Sequence, residues 1–105
     1  MGLLDFLREP DINQGVAEFH ETPGAVLLDV RTPQEYDFKR IPDSRNVPLD
    51  ELEKVAAIAD KDTPLFVYCF SGGRSHQAVK TLQRMGYTNA KNIGGISSYT
   101  GKIEY

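Results

Sequence analysis

The 105-residue chain contains a single cysteine, so an intramolecular disulfide is impossible and a small disulfide-stapled secreted fold is excluded. It also lacks an excess of charge of one sign, since 12 Lys and Arg residues face 15 Asp and Glu residues, a net charge of -3. So mild a balance predicts neither a nucleic-acid partner nor a membrane partner. Internal repeats and low-complexity runs are missing too. One domain over residues 1–105 is therefore expected, with its core at about 12–99.

The first residues lack the pattern of a secretory signal peptide. Residues 1–8 carry Asp5 among their apolar side chains and have no basic residue ahead of them, whereas a signal peptide opens with basic residues and continues as an apolar stretch. Gly2 is compatible with myristoylation, but Phe6 stands where that motif requires Ser or Thr. We therefore expect a cytoplasmic protein. Residues 1–11 are expected to form a short helix or arm that packs on the domain's own surface rather than on a membrane.

Two short apolar runs predict the central strands of a sheet. Residues 25–30, which are apolar except for Asp29, and the apolar residues 65–69 form continuous rather than alternating runs, which is typical of parallel strands that are buried on both faces. Weaker patterns predict short strands at 45–47 and 90–93 and an edge strand around Ile12.

Segments with helical spacing separate these strands. The predicted helices are 13–21 after an N-cap at Asn13, 33–39 behind a Thr32–Glu35 capping box, 50–59, and 74–85 ending before Gly86. Because strand and helix alternate, we predict an α/β domain with a mostly parallel sheet and helices on both faces. Ligands bind beyond the C-terminal ends of the strands in such sheets, and Cys69 ends a predicted strand.

Residues 69–76, Cys-Phe-Ser-Gly-Gly-Arg-Ser-His, lead from that strand into a predicted helix. Gly72 and Gly73 permit a tight curl in which successive backbone N–H groups point inward and bind an anion. The helix N-terminus adds unsatisfied donors, and Arg74 adds a full positive charge. In such surroundings the pKa of the Cys69 thiol falls below its ordinary value, which favours the nucleophilic thiolate.

Cys69 and the two histidines also permit interpretations without a catalytic role. A free cysteine is often only a buried core residue, but the glycine pair, the arginine and the strand-to-helix position favour a functional Cys69. We interpret His76 as a surface histidine that points away from the loop, and His20 carries no functional signal. One Cys and two scattered His residues provide no metal-ligand spacing, so neither a metal nor another cofactor is expected.

Four segments, taken in order, resemble a known family. They are Leu-Leu-Asp-Val-Arg-Thr-Pro-Gln-Glu-Tyr at 27–36, Ile-Pro-Asp-Ser-Arg-Asn-Val-Pro-Leu at 41–49, Val-Tyr-Cys-Phe-Ser-Gly-Gly-Arg-Ser at 67–75 and Gly-Tyr-Thr-Asn-Ala-Lys-Asn-Ile-Gly-Gly-Ile at 86–96. Together they resemble a single-domain rhodanese of the rhodanese-like sulfurtransferase family. The resemblance implies a three-layer α/β/α domain with a five-stranded, mostly parallel sheet and a cysteine loop that binds sulfane sulfur.

The resemblance also implies roles for individual residues. Cys69 would take a sulfur atom from a donor such as thiosulfate and carry it as a persulfide to a thiol or cyanide acceptor. Arg74 would help to hold the anionic donor. The loop that cradles the sulfur would consist of Phe70, Ser71, Gly72, Gly73, Arg74 and Ser75. Asp29 and Arg31 resemble the family's supporting rim. We favour a purely structural role for these two, with Asp29 bracing the loop and Arg31 paired with Glu35.

The length of the loop distinguishes sulfur transfer from phosphate chemistry. Four residues lie between Cys69 and Arg74, as in the sulfur-transferring members that the chain resembles. Phosphatases that resemble this fold have five residues there, which form a ring large enough for a tetrahedral phosphate. The resemblance therefore favours sulfur transfer over phosphate hydrolysis.

One segment departs from the family's pattern. Lys39-Arg40 stands where the family commonly has Gly-His, and Asp43-Ser44 stands where it often has Gly-Ala. Lys39, Arg40 and Arg45 would form a modest basic rim for anionic donors, but a solvated surface is the favoured interpretation.

Three functions are compatible with an activated Cys69. The first is a sulfurtransferase whose Cys69 persulfide is discharged by an outside acceptor such as a small thiol, a thioredoxin-like protein or cyanide, because the chain contains no second cysteine. The second is a persulfide carrier or binding module that a partner protein loads, with weak small-molecule turnover. The third is a thiol redox sensor, ranked last because such sensors often have a resolving cysteine nearby. We expect a monomer in each case.

Overall fold

The computed structural model describes residues 10–105, and a parallel β-sheet forms the centre of this part of the chain. Its strands are β1 (Val26–Asp29), β2 (Ser44–Asn46), β3 (Leu65–Cys69) and β4 (Ala90–Gly95), in the order β2-β1-β3-β4. All three neighbouring pairs are parallel. The α/β class with a parallel sheet is therefore confirmed. The described residues contribute four strands to the sheet, one fewer than the resemblance implies.

The predicted edge strand around Ile12 is wrong, because this residue begins helix α1 (Ile12–Glu21). The Asp11 carboxylate accepts a hydrogen bond from the N–H of Asn13 (3.0 Å), so Asp11 rather than Asn13 is the N-cap. Ile12, Gly15 and Val16 are buried, and this spacing of three and four residues places them on one face of a helix but on both faces of a strand. Residues 1–9 of the predicted N-terminal helix or arm lie outside the described residues.

Two further α-helices follow the prediction. Helix α2 (Pro33–Phe38) begins behind a capping box in which Thr32 and Glu35 each bond the other's backbone N–H. Helix α3 (Gly73–Arg84) is followed by Gly86 at φ +101°, a left-handed conformation that favours glycine.

The segment predicted as an α-helix at 50–59 is instead a 3-10 helix over Leu49–Ala57. Its buried side chains, Leu52 and Val55, are three residues apart, which matches the three residues per turn of this helix type. Glu51 interrupts the segment with non-helical dihedral angles. None of the helices in the described part of the chain is long and apolar enough to span a membrane.

The sheet is covered on both faces, and alternate strand residues enter different halves of the core. Side chains on one face pack under α1, and those on the other pack under α3 and the 3-10 helix. The first set includes Leu27, Phe66, Tyr68 and Ile93, and the second includes Leu28, Leu65, Val67 and Cys69. The Cys69 side chain is therefore directed to the α3 side, at the C-terminal end of the sheet.

The C-terminal residues close against the segment that precedes β2. Arg40 and Glu104 form an antiparallel bridge with two backbone hydrogen bonds (2.9 and 2.8 Å), and their side chains form an ion pair at 2.9 Å. The Arg40 guanidinium also lies over the ring of Tyr36. One residue of the possible basic rim is thus already paired with an acid.

Candidate active site

Cys69 is the last residue of β3, at the point where the chain enters the loop that leads to α3. The residue is 1% exposed. Its Sγ accepts a hydrogen bond from the N–H of Gly72 (3.0 Å) and lies 3.3 Å from the Oγ of Ser75. The sulfur is therefore enclosed by the loop, with a backbone amide and a hydroxyl group beside it.

These neighbours control the ionisation of Cys69. Burial favours the neutral thiol, but hydrogen bonds from the Ser75 side chain and amide and from the amides of Gly72 and Ser71 outweigh it. Together they lower the pKa of the Cys69 thiol below its ordinary value. More of the cysteine is therefore the nucleophilic thiolate at neutral pH than in a free thiol.

The Ser75 hydroxyl serves both protonation states of the sulfur. Its Oγ lies 2.7 Å from the Oδ1 of Asn92 as well as 3.3 Å from the Sγ of Cys69. When Cys69 is a thiol, its S–H can donate to Ser75 while the hydroxyl donates to Asn92. When Cys69 is a thiolate, the single hydroxyl proton can turn to the sulfur.

The loop backbone depends on glycine at one position. Gly72 has φ +104°, in the left-handed region, and it is the N-cap of α3. This conformation lets the Gly72 N–H reach the Sγ of Cys69 while its carbonyl accepts from the N–H of His76 (3.1 Å). Phe70, at the start of the loop, is 47% exposed.

The end of β4 braces the loop through contacts that the sequence reasoning did not assign. Asn92 Nδ2 donates to the carbonyl of Gly72 (3.3 Å), and its Oδ1 accepts from the N–H of Gly94 (3.0 Å). Gly95 packs so closely that a Cβ there would lie 2.2 Å from the carbonyl oxygen of Phe70. A glycine pair at the end of a predicted strand is the signal that identifies such a close approach.

Asp29 and Arg31 form a buried pair at the end of β1. The Arg31 Nη2 lies 2.7 Å from Asp29 Oδ2, and the two residues are 2% and 0% exposed. The predicted pairing of Arg31 with Glu35 is therefore wrong, because Asp29 is two residues away and fully desolvated, which makes it the stronger partner. Arg31 also donates to the carbonyl of Lys39 (2.7 Å) and so ties β1 to the segment before β2.

Glu35 is paired with Arg74 instead. The two guanidinium nitrogens Nη1 and Nη2 donate to the two carboxylate oxygens at 2.7 and 3.0 Å, a bidentate contact that joins α2 to the start of α3. The hydrogen bond from Arg74 is the main cause that lowers the pKa of Glu35 to about 2. The arginine that the sequence assigns to an anionic donor thus holds an internal carboxylate.

Two cavities border the loop. The larger has a volume of about 390 Å³ and is lined by loop residues Ser71 to Gly73 and by His76. His76, predicted to be a surface histidine, is exposed and also borders this cavity. The smaller cavity, of about 230 Å³, is lined in part by Arg74, Val30 and Leu49. Across residues 10–105, no group of three or more His, Cys, Asp or Glu side chains is placed to hold a metal ion.

Known proteins resemble this chain in both sequence and structure. The chain is 41% identical to "Thiosulfate sulfurtransferase PspE" of Escherichia coli (strain K12) over 71 residues, which cover 66% of this chain and 68% of that protein. It is 35% identical to "Putative sulfur carrier protein YrkF" of Bacillus subtilis (strain 168), covering 74% of this chain and 43% of that longer protein. A solved structure described as "rhodanese with anions from E. coli" superposes with a TM-score of 0.70 at 35% identity and covers 76% of this chain and 96% of that one.

The family model for the rhodanese-like domain matches residues 13–102, which is most of the chain. This range contains the whole sheet, the cysteine loop and the residues that brace it. The chain therefore belongs to the rhodanese-like domain family.

Proposed function

We propose that the chain is a sulfurtransferase that moves sulfane sulfur from a donor to a thiol or cyanide acceptor through a persulfide on Cys69. The observation that carries this proposal is the enclosure of a single, acidified cysteine by backbone amides at a helix N-terminus. The relatives named as a sulfurtransferase and a putative sulfur carrier support it.

In the first step, the Cys69 thiolate attacks the outer sulfur of the donor. With thiosulfate, a Cys69 S–S bond forms, the S–S bond of thiosulfate breaks, and its electron pair leaves with sulfite. The product is a Cys69 persulfide anion, whose single negative charge, now on the outer sulfur, the inward-facing amides of the loop stabilise. The same donors that lower the pKa of the thiol therefore serve the intermediate.

In the second step, an acceptor thiolate attacks the outer sulfur of the persulfide. The Cys69 S–S bond breaks, the sulfur leaves as the acceptor's persulfide, and the Cys69 thiolate is restored. Cyanide gives thiocyanate by the same displacement. Because Cys69 is the only cysteine in the sequence, the acceptor is a separate molecule. A small thiol and a thioredoxin-like protein are the proposed physiological classes.

The test is turnover of thiosulfate with cyanide, followed as thiocyanate, in the parent protein and in Cys69→Ser. The parent is expected to turn over and the variant to be inactive, since an alcohol at this position is a far weaker nucleophile. Transfer by Cys69→Ser at the parental rate would refute the role of Cys69.

A carrier loaded by a partner protein is the second candidate, favoured by the likeness to a putative sulfur carrier protein and by the burial of Cys69. Loading by a persulfidated protein is compared with loading by thiosulfate. Fast loading from the protein with negligible thiosulfate turnover supports the carrier, and brisk thiosulfate turnover without protein loading rejects it.

A further inference from the structure

The Glu35 carboxylate is paired with Arg74, which carries the positive charge at the end of the cysteine loop where α3 begins. Arg74 is the second residue of α3, and both terminal nitrogens of its guanidinium are engaged by Glu35. The hydrogen bond with Glu35 is the main cause that raises the pKa of Arg74, and the Cys69 charge contributes as well. An anion bound at Arg74 therefore competes with Glu35 and lies within electrostatic reach of the sulfur.

Glu35 is held in this position from its other side. Its Oε1 accepts from the N–H of Thr32 (3.0 Å) and from the Thr32 hydroxyl (3.1 Å), while its own N–H donates back to that hydroxyl (3.2 Å). The carboxylate is thus part of the capping box that starts α2. Releasing Arg74 by moving Glu35 would cost these bonds, so the pairing is preorganised.

The smaller cavity borders Arg74 and also has an acidic residue in its lining. Its lining includes Arg74, Asp50, Val30 and Leu49. Val30 belongs to the same half of the core as Cys69, and Leu49 packs against that half, so this cavity lies on the side of the sheet to which the Cys69 side chain is directed. Arg74 and Asp50 are the two charged residues of this lining, so the cavity has no excess positive charge once Glu35 neutralises Arg74.

We propose that Glu35 is a specificity-determining residue, an internal anion that disfavours doubly charged sulfur donors such as thiosulfate relative to singly charged ones. The inference rests on the proposed function and concerns its donor class. A dianion at Arg74 has to displace Glu35 or remain beside its carboxylate, and like-charge repulsion scales with the donor's charge. Donors with one negative charge, including persulfides and thiosulfonates, meet half of that repulsion.

Thiosulfate and methanethiosulfonate form a matched pair of probes. Both present a sulfane sulfur on an oxidised sulfur atom, and they carry two negative charges and one. Cys69 attacks the outer sulfur in each, the donor's S–S bond breaks, and the electron pair leaves with sulfite or methanesulfinate. The second-order rate constant of Cys69 persulfide formation is measured for both donors at constant ionic strength.

The variant is Glu35→Gln, which retains the capping-box hydrogen bonds and removes the charge. The rate constant is expected to rise about five-fold for thiosulfate and about two-fold for methanethiosulfonate, in line with the upper range of a part-exposed ion pair. Glu18→Gln is the charge-matched control, because Glu18 pairs with Lys91 away from the loop. Both rate constants are expected to stay unchanged in this control.

A merely structural role for Glu35 would change both rate constants by the same factor, and that result, or no change, would overturn the inference. Glu35→Asp is the second variant, since it keeps the charge but shortens the side chain by one methylene. A smaller shift in the same direction is expected, and an unchanged ratio of the two rate constants in both variants refutes the role. If both donors form the persulfide but the ratio of their rate constants is the same in the Glu35 variants as in the parent, this inference alone is rejected. No persulfide with either donor rejects the proposed function with it.

Discussion

Gly95→Ala tests the packing of β4 against the cysteine loop. A Cβ at this position would lie 2.2 Å from the carbonyl oxygen of Phe70 and 2.5 Å from the Cα of Ser71. Ordinary contact begins at 3.4 Å, so the loop has to move by about 1.2 Å. Both opposing atoms belong to the backbone, so rotation of a side chain cannot relieve the overlap. The shift also strains the hydrogen bond from the N–H of Ser97 to the same carbonyl (3.0 Å).

Movement of the loop also displaces the groups that surround the reacting sulfur of Cys69. Phe70 is bonded to Cys69, and the amides that surround the sulfur come from the next residues of the loop. A displacement of about 1 Å in such a site costs about 100-fold in rate. Overpacking of this size costs about 1–3 kcal/mol of the free energy of unfolding. We therefore expect a folded protein with lower stability and a rate of persulfide formation about 100-fold below the parent.

The rate of persulfide formation is measured by mass spectrometry of samples quenched at successive times. The free energy of unfolding is measured by urea denaturation. Gly86→Ala is the matched control, because Gly86 has φ +101°, which strains an alanine, and lies beyond the C-terminal end of α3, opposite to the end that joins the loop. It is expected to lose comparable stability and to keep its rate within about two-fold of the parent, since distant sites act independently. The argument would be refuted if Gly95→Ala formed the persulfide at the parental rate, or if the rate fell by the same factor in both variants.

Two further changes address the ionisation of the site and its buried support. Ser75→Ala removes a hydrogen bond that lowers the pKa of Cys69, so the pH profile of iodoacetamide alkylation should move to higher pH, toward the value of about 8.5 for a free thiol. A profile that stays in place would contradict this. Asp29→Asn leaves the Arg31 guanidinium buried without its carboxylate, which should cost about 3–5 kcal/mol in the free energy of unfolding by urea. A loss below about 1 kcal/mol would show that the pair is solvated.

The sequence predicts the features that depend on local pattern. Continuous apolar runs identify β1 and β3, and the Thr32–Glu35 spacing identifies the start of α2. A single apolar residue has no period of its own, so the sequence around Ile12 does not distinguish a strand from a helix. The helix follows from the Asp11 cap and from the burial of Val16 one turn later.

Contacts between distant residues are the part that local patterns do not contain. Glu35 and Arg74 are 39 positions apart, and they meet because β1 and β3, which precede α2 and α3, pair side by side in the sheet. Sequence proximity suggested Arg31 as the partner of Glu35, but the buried Asp29 takes that guanidinium. Asn92 likewise reaches the loop only because β4 pairs with β3.

The central claim, that Cys69 carries sulfur as a persulfide, is tested most directly by the intact mass of the protein. After incubation with thiosulfate and removal of the excess donor, the account predicts a gain of one sulfur atom per chain, located on the peptide that contains Cys69. Cyanide or a small thiol should restore the original mass. Cys69→Ser should not gain sulfur. An unchanged mass after every sulfane donor tested, or equal labelling of Cys69→Ser, would contradict the account.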